Sequence, residues 1–517
     1  MPEYLAPGVF IEEIERGPRP IEGVATSTAA FLGETERGPT RPRLITSYND
    51  YLRHFGGAFG PDKYMPYALS GFFENGGRRA YICRIVGDHA APAELDIGGG
   101  AFIDAVGPGE WGNRIYLKLS ADSATRGTAK EADSKAFRLQ VAYWDSLVPG
   151  SDPPDPFDPL KARDLPRPAI VEDFDNLNWA QPESPDFWVK RLETASSLIR
   201  LRAPIPVLAA RPAFFELTPL DGGLPGDALA LDDFRGESLD SNLRTGLSAL
   251  DLDEYREVAL VAAPGVAIPE VNQLMFEHCE RRKFRFAVID SESEVNDVGQ
   301  LDPRTNWETS YAAFYFPWVY AADLVSGARK QVPPSGHVLG LYARTDNERG
   351  VWKAPANEVL RGVFDLKYYI DTGKQEVLNP RGVNVIRRFP GNGIRVWGAR
   401  TLSNNGLWRY VSVRRLFIFL ERSIYEGTQW VVFEPNDERL WGRVEDTIRL
   451  FLRTQWRAGA LMGTTEDQAF NVACNRSTMT QDDILNGRLI CEIGIAPVRP
   501  AEFVIFKIFQ NTAESQR

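Results

Sequence analysis

Residues that bind metals or carry thiol chemistry are scarce in this chain: four cysteines and four histidines in 517 residues. Cys83, Cys279, Cys474 and Cys491 are widely spaced, form no C-x-x-C pair, and make no zinc-ligand pattern with the histidines. They are expected to be buried thiols in a reducing compartment. Excess positive charge is also missing. A net charge of -11 excludes a role in coating nucleic acid, which needs a concentrated basic surface to neutralise phosphates. No uninterrupted apolar run approaches the roughly 20 residues of a membrane span, so no direct membrane insertion is expected. The opening Met1-Pro2-Glu3-Tyr4 has neither the basic nor the apolar region of a secretory signal, so synthesis and assembly are expected in the cytoplasm.

Catalytic motifs are absent too. The chain has no P-loop lysine pattern, no H-E-x-x-H and no G-x-S-x-G elbow. His278-Cys279 is a tempting pair, but neighbours on a helix point about 100° apart and do not face each other, so both read as packing residues. Gly391-Asn392-Gly393 is followed by Val396 where a dinucleotide fingerprint needs glycine, and reads as a turn. Asn475-Arg476-Ser477 matches a glycosylation acceptor only formally. No catalytic residue, cofactor or metal site is assigned.

What is present is an interrupted α/β rhythm. Residues 25–33 read as a buried strand, Ser47 caps a helix over 48–55, and 67–75 form a second helix stopped by Gly76-Gly77 before a strand over 81–86. From about 91 to 245 the character shifts to Gly, Pro, Asp and Ser clusters, among which 114–120 and 137–144 still read as strands. This is an inserted, folded and β-rich region. The rhythm returns with a strand at 258–262, a helix from Pro269 to Arg282 and a strand at 286–289, a pattern of parallel sheet. Residues 394–400 and 409–419 read as a long hairpin, and 437–458 as an amphipathic helix with Trp441, Val444, Ile448, Phe451 and Leu452 on its apolar stripe.

Both ends carry adhesive segments. Val9, Phe10, Ile11 and Ile14 lie in a short β-type run detached by Gly17-Pro18 and Pro20, and Phe503, Val504, Ile505, Phe506, Ile508 and Phe509 form a strand apolar on nearly both faces. Such a strand needs partners at both edges, within its own subunit or in another. Pro497 and Pro500 bend the chain into this segment.

Several blocks are then identifiable. Val332-Pro333-Pro334-Ser335-Gly336-His337 through Ala356-Asn357, Leu378-Asn379-Pro380-Arg381-Gly382, Val396-Trp397-Gly398-Ala399-Arg400-Thr401, Arg414-Arg415-Leu416-Phe417 and Phe433-Glu434-Pro435-Asn436 resemble, in order, the contractile tail sheath family. Phe72-Phe73-Glu74-Asn75-Gly76-Gly77, residues 311–318 and the opening Pro7-Gly8-Val9-Phe10 agree with it. The resemblance spans about 1–90 and 250–517. It implies a mixed α+β, multidomain sheath subunit: an N-terminal β arm (1–22), a subtilisin-like α/β middle domain (23–90 and 246–393), a variable outer insertion (91–245), a C-terminal α+β domain (394–500) and a C-terminal β arm (501–517).

It also implies a structural role: a helical homo-oligomer of stacked rings around an inner tube protein, bounded by baseplate and terminal cap proteins, that contracts from a metastable extended state and drives the tube through an envelope. No nucleotide is required, and the particle is a phage tail or a phage-tail-like body released from the cell. In this family the terminal arms join sheets of neighbouring subunits. Arg449, Arg453 and Arg457, at i, i+4 spacing, are candidates to face the tube, the alternative being a solvated helix face near a C-terminal dipole. Asn384, Arg387 and Arg388 are expected to make internal polar contacts, with Glu421 and Glu434 as available partners. Other readings are an α/β hydrolase-like enzyme working near Asp290 and His337, or a baseplate or capsid subunit with a sheath-like domain.

Overall fold

The computed structural model describes residues 20–128, 134–148, 151–161, 164–205, 208, 210–236, 244–266 and 268–505. Val9, Phe10, Ile11 and Ile14 of the first arm, and Phe506, Ile508 and Phe509 of the last, lie outside the described residues. The described chain forms two compact units, one comprising 25–349 and 354–411, the other 20–24, 350–353 and 412–505.

The larger unit is built on a nine-stranded sheet. Its strands are β1 (Ala29–Gly33), β2 (Arg43–Ile45), β3 (Ala80–Arg84), β4 (Leu260–Ala262), β5 (Phe286–Asp290), β6 (Ala312–Phe316), β7 (Glu358–Val359), β8 (Val383–Phe389) and β9 (Gly393–Val396). Their spatial order is β7-β9-β8-β6-β5-β4-β1-β3-β2. The run from β8 to β3 is parallel, and β2, β7 and β9 add antiparallel edges. Every residue of β1, β3 and β6 is buried, which is why these strands read as continuous apolar runs: a parallel sheet is covered on both faces.

The helices follow from local chemistry. Helix α1 (Tyr48–Phe55) starts where Ser47 Oγ accepts a hydrogen bond from the Asp50 N–H at 3.1 Å. Helix α3 (Pro269–Arg282) opens with proline at its first turn and closes where Lys283 adopts φ 62°. Between them in sequence lies α2 (Met65–Glu74), which packs closely on α4 (Ser335–Arg349). A Cβ at Gly336 would lie 2.2 Å from the Ala68 carbonyl oxygen, and one at Gly340 2.3 Å from that of Phe72. These glycines set the helix separation.

The region between β3 and β4 carries its own antiparallel sheets. Ile115–Ser120, Ala136–Tyr143, Ile170–Asn178 and Phe215–Pro219 form a four-stranded sheet, while Glu94–Asp96, Phe102–Ala105 and Ile199–Leu201 form a three-stranded one. They enclose a separate core containing Trp111, Leu117, Val141, Phe174 and Trp188.

The expected hairpin over 394–419 is corrected by the structure. Only the Arg400–Tyr410 bridge joins its two halves, β9 pairs with β8 and β7, and Val411–Gly427 is a helix, α5. Val411, Val413, Leu416, Ile418, Phe419 and Leu420 are all buried. The alternation Val411-Ser412-Val413 and the continuous apolar run Leu416-Phe417-Ile418-Phe419-Leu420 imitate a core strand over its first ten residues. The smaller unit joins α5 to α6 (Glu438–Arg457) and to a two-stranded ribbon, β10 (Phe470–Ala473) with β11 (Glu492–Ile495). Leu416, Trp441, Ile448, Phe451, Phe470 and Val472 meet in its core.

Candidate assembly surfaces

The strand ends of the parallel sheet are where an α/β enzyme would place its chemistry. At the end of β5, the Asp290 carboxylate accepts hydrogen bonds from the Ser335 N–H at 2.7 Å and the Ser335 hydroxyl at 2.6 Å, and from the Gly265 N–H at 3.3 Å. It ties the sheet to the start of α4. Burial of the carboxyl group pushes its pKa up to about 7, against those three hydrogen bonds, which act to lower it.

His337 lies nearby on α4, but its ring occupies the space a Cβ on Gly71 would need, 2.5 Å from that position. Burial pushes its pKa down to about 4, and its Nδ1 has no hydrogen-bond partner among the described residues. The Ser335 hydroxyl donates to the carboxylate, an arrangement that leaves no serine–imidazole relay. His278 is likewise buried and pushed down to about 2, first by burial and then by Arg285, which donates to its Nε2. Burial pushes the Cys279 thiol up to about 12. Both residues are packing elements. Among the described residues no group of three or more His, Cys, Asp or Glu side chains is arranged to hold a metal ion.

On α6 the polar and apolar faces separate as the periodicity predicts. Asp437 caps the helix, accepting from the Arg439 N–H at 3.1 Å and the Leu440 N–H at 2.9 Å. Leu440, Trp441, Val444, Ile448, Phe451 and Leu452 are buried. The basic stripe is not free charge, however. Arg453 grips Glu466 through two bonds, 2.7 and 3.2 Å, while Arg449 lies 3.4 Å from Glu466 and 3.3 Å from Glu445. Arg453, and then Arg449, hold the Glu466 carboxyl below its ordinary pKa. Arg457 is exposed and has no ion pair among the described residues. Glu466 is the partner that helical spacing misses, because it reaches the stripe from the next helix.

The internal polar cluster resolves differently from expectation. The Asn384 side chain bonds both backbone groups of Arg400, accepting from its N–H at 2.7 Å and donating to its carbonyl at 2.8 Å. Arg387 lies over the Phe389 ring at 5.3 Å. Arg388 pairs with Asp365 at 3.2 Å, and Glu434 lies 3.9 Å from Arg443; each acidic partner belongs to the same compact unit as its arginine.

The smaller unit displays unusual apolar surface. Phe503, Val504 and Ile505 are 75%, 67% and 79% exposed and have no regular secondary structure. Phe433 is fully exposed at φ 69°, a backbone conformation that side chains rarely adopt. Among the described residues the ribbon β10–β11 has two strands, each of them an edge strand.

Comparison with known proteins agrees with this architecture. The family model for the phage tail sheath protein central domain matches residues 240–402, and that for the phage tail sheath C-terminal domain matches 403–511. Together they account for just over half of the chain. A putative prophage major tail sheath protein of Pseudomonas aeruginosa (strain UCBPP-PA14) is 24% identical over 274 residues, 51% of this chain and 69% of that protein. The tail sheath protein of Vibrio phage KVP40 is 23% identical over 214 residues, 41% of this chain but only 31% of that longer protein. The cryo-EM structure of the anti-feeding prophage helical sheath in its contracted state superposes with a TM-score of 0.58 at 26% identity, covering 98% of this chain and all of that one. With two consecutive family models and a mixed α+β, multidomain fold shared along almost its whole length, the chain belongs to the tail sheath family of contractile phage tails and injection systems.

Proposed function

We propose that the protein is a structural subunit of a contractile sheath, polymerising around an inner tube and shortening from a metastable extended lattice to drive that tube through a target envelope. Its partners are further copies of itself, the tube protein, and baseplate and terminal cap proteins. Assembly takes place in the cytoplasm before the particle is released. The observation that carries this reading is the exposed Phe503-Val504-Ile505 segment, which follows in sequence a ribbon that has two strands among the described residues. Covering such side chains contributes about 1.5–3 kcal/mol each, and a two-stranded ribbon gains stability from further strands. Strand addition between subunits meets both needs, with main-chain bonds for affinity and apolar side chains for register. Val9, Phe10, Ile11 and Ile14 at one end, and Phe503 to Phe509 at the other, serve as the donated arms in this reading. Head-to-tail donation is heterologous and generates an open helical lattice.

The subtilisin-like parallel sheet then acts as a non-catalytic body that rotates while the arms stay connected. The insertion over 91–245 faces outward, where extra surface is tolerated. Arg457, with Arg449 and Arg453, faces the tube. Contraction uses no nucleotide, since a metastable lattice needs only a lower-energy alternative.

The test is electron microscopy of the full chain and of a chain ending at Pro500, each with and without tube protein. Striated hollow tubes from the full chain alone support the arm mechanism. Identical behaviour of the two chains in the presence of tube protein overturns it.

A further inference from the structure

The four cysteines divide into two kinds. Cys83 and Cys279 are buried among the apolar residues of the larger unit and are not placed to meet any oxidant. Cys474 and Cys491 stand apart by seventeen positions in sequence, yet the ribbon brings them face to face. Its register pairs Phe470 with Ile495, Val472 with Ile493 and Ala473 with Glu492, and Cys474 and Cys491 follow directly beyond that last pair, in the same register. Opposed residues of an antiparallel ladder project to the same face with Cβ atoms about 4.5–5.5 Å apart, and a disulfide needs about 3.5–4.5 Å, so a small approach of the two strand ends brings the sulfurs within bonding distance. Each thiol shifts the titration of the other: Cys491 lowers the pKa of Cys474, and Cys474 raises that of Cys491. Cys474 is buried, Cys491 is half-buried and gives access from solvent, and both belong to the same apolar cluster. The expectation of four isolated buried thiols is therefore corrected for this pair.

We propose that Cys474 and Cys491 are a covalent modification site: a dithiol that a small-molecule disulfide oxidises to an intramolecular bond, fastening the open end of the β10–β11 ribbon and closing the loop 475–490. The chemistry is two successive thiol–disulfide exchanges. One protein thiolate attacks the reagent, forming a mixed disulfide and expelling one reagent thiolate. The second protein thiolate then attacks the protein sulfur of that mixed disulfide, forming the Cys474–Cys491 bond and expelling the other. Both protons from the protein thiols end on the two reagent thiols, and the two electrons lost by the protein reduce the reagent's S–S bond. The Glu445 carboxylate on α6 accepts from the Cys474 N–H at 3.2 Å. Cys491 holds the Cys474 thiol below its ordinary pKa, while Cys474 and then burial push Cys491 above its own, with smaller contributions from Glu445 and Glu492; the thiolate is the attacking species, so closure accelerates with rising pH. The clasp constrains the ribbon whose edges are the proposed acceptors of neighbouring arms, but the site itself does not depend on that reading.

The test uses the full chain incubated with oxidised glutathione. The free-thiol count should fall from four to two, with a loss of about 2 Da in intact mass and no added glutathione. Trypsin should release peptides 458–476 and 489–507 as one species that separates on reduction. The melting midpoint should rise by about 5 °C and return with reductant, as expected for closing a loop of this length. Cys491→Ser should abolish all of these changes, and the mapping of the unmodified chain decides the question if that variant fails to fold. Four persisting thiols, a stable glutathione adduct, or a cross-link between chains would each overturn the proposal. Sheath assembly is not part of the readout, so failure here leaves the proposed function untouched.

Discussion

The sheet-bearing unit and the smaller C-terminal unit spend their apolar residues in opposite ways. In the first, the central strands are buried on both faces and helices approach until glycine is the only residue that fits between them. In the second, a compact core around Trp441 and Phe451 coexists with exposed Phe433, Leu485, Phe503, Val504 and Ile505. The sheet-bearing unit also exposes Val148, Leu160, Leu165 and Val325, but outside its parallel sheet and with no three in succession among the described residues. In the smaller unit three consecutive apolar residues, Phe503 to Ile505, stand exposed, the kind of contiguous apolar surface that the proposed linking of subunits would cover.

The comparison breaks most visibly if the exposed segment is removed. Deleting residues 501–517 should abolish lattice formation, seen by sedimentation and electron microscopy, while the circular dichroism spectrum and melting of the subunit hardly change; a matched loss of melting temperature would show that the segment serves its own fold. Next in size, Gly340→Val should cost about 3 kcal/mol or more in denaturant unfolding, because the added side chain meets backbone, which cannot swing aside, and not a flexible side chain. Limited proteolysis should show that loss in the sheet-bearing unit.

An effect of similar size, spread over a pH range, comes from Asp290. Its pKa of about 7 in the native state, against about 3.9 in an unfolded chain, means the folded protein holds a proton that the unfolded chain releases between those values. Stability should therefore fall as pH rises from about 4 to 7, by up to about 4 kcal/mol, and Asp290→Asn should flatten that slope in pH-dependent unfolding. The smallest effect on the subunit is expected from reversing Arg449 and Arg453 to Glu. Their ion pairs with Glu466 and Glu445 lie at the solvated surface, so thermal unfolding should barely move while co-sedimentation with tube protein decreases. Unchanged co-sedimentation would assign the stripe to α6 alone.

Local chemistry made much of the fold legible. Ser47, Pro269 and Asp437 mark helix starts by groups that act within three residues of themselves, and all three helices begin where those residues place them. The continuous apolar runs of β1 and β4 announce a covered parallel sheet for the same reason. The α5 helix was not legible, since its first ten residues hold a short alternation and a five-residue apolar run that a core strand shows equally well. Nor was the pairing of Glu466 with the basic stripe, because thirteen positions of chain, including a helix end, separate it from Arg453.

By itself the sequence determined which segments have strong intrinsic preferences, which chemistry the chain lacks, and, through blocks such as Phe433-Glu434-Pro435-Asn436, the family to which it belongs. Only the tertiary structure decided that the Asp290 carboxyl group is enclosed, that Arg449 and Arg453 of the α6 stripe are paired with carboxylates, and that Cys474 and Cys491 follow the ribbon's last pair in the same register. Those outcomes depend on distances between residues far apart in the chain. Such distances are set by strand register and helix packing, and periodicity within a single element carries no record of them.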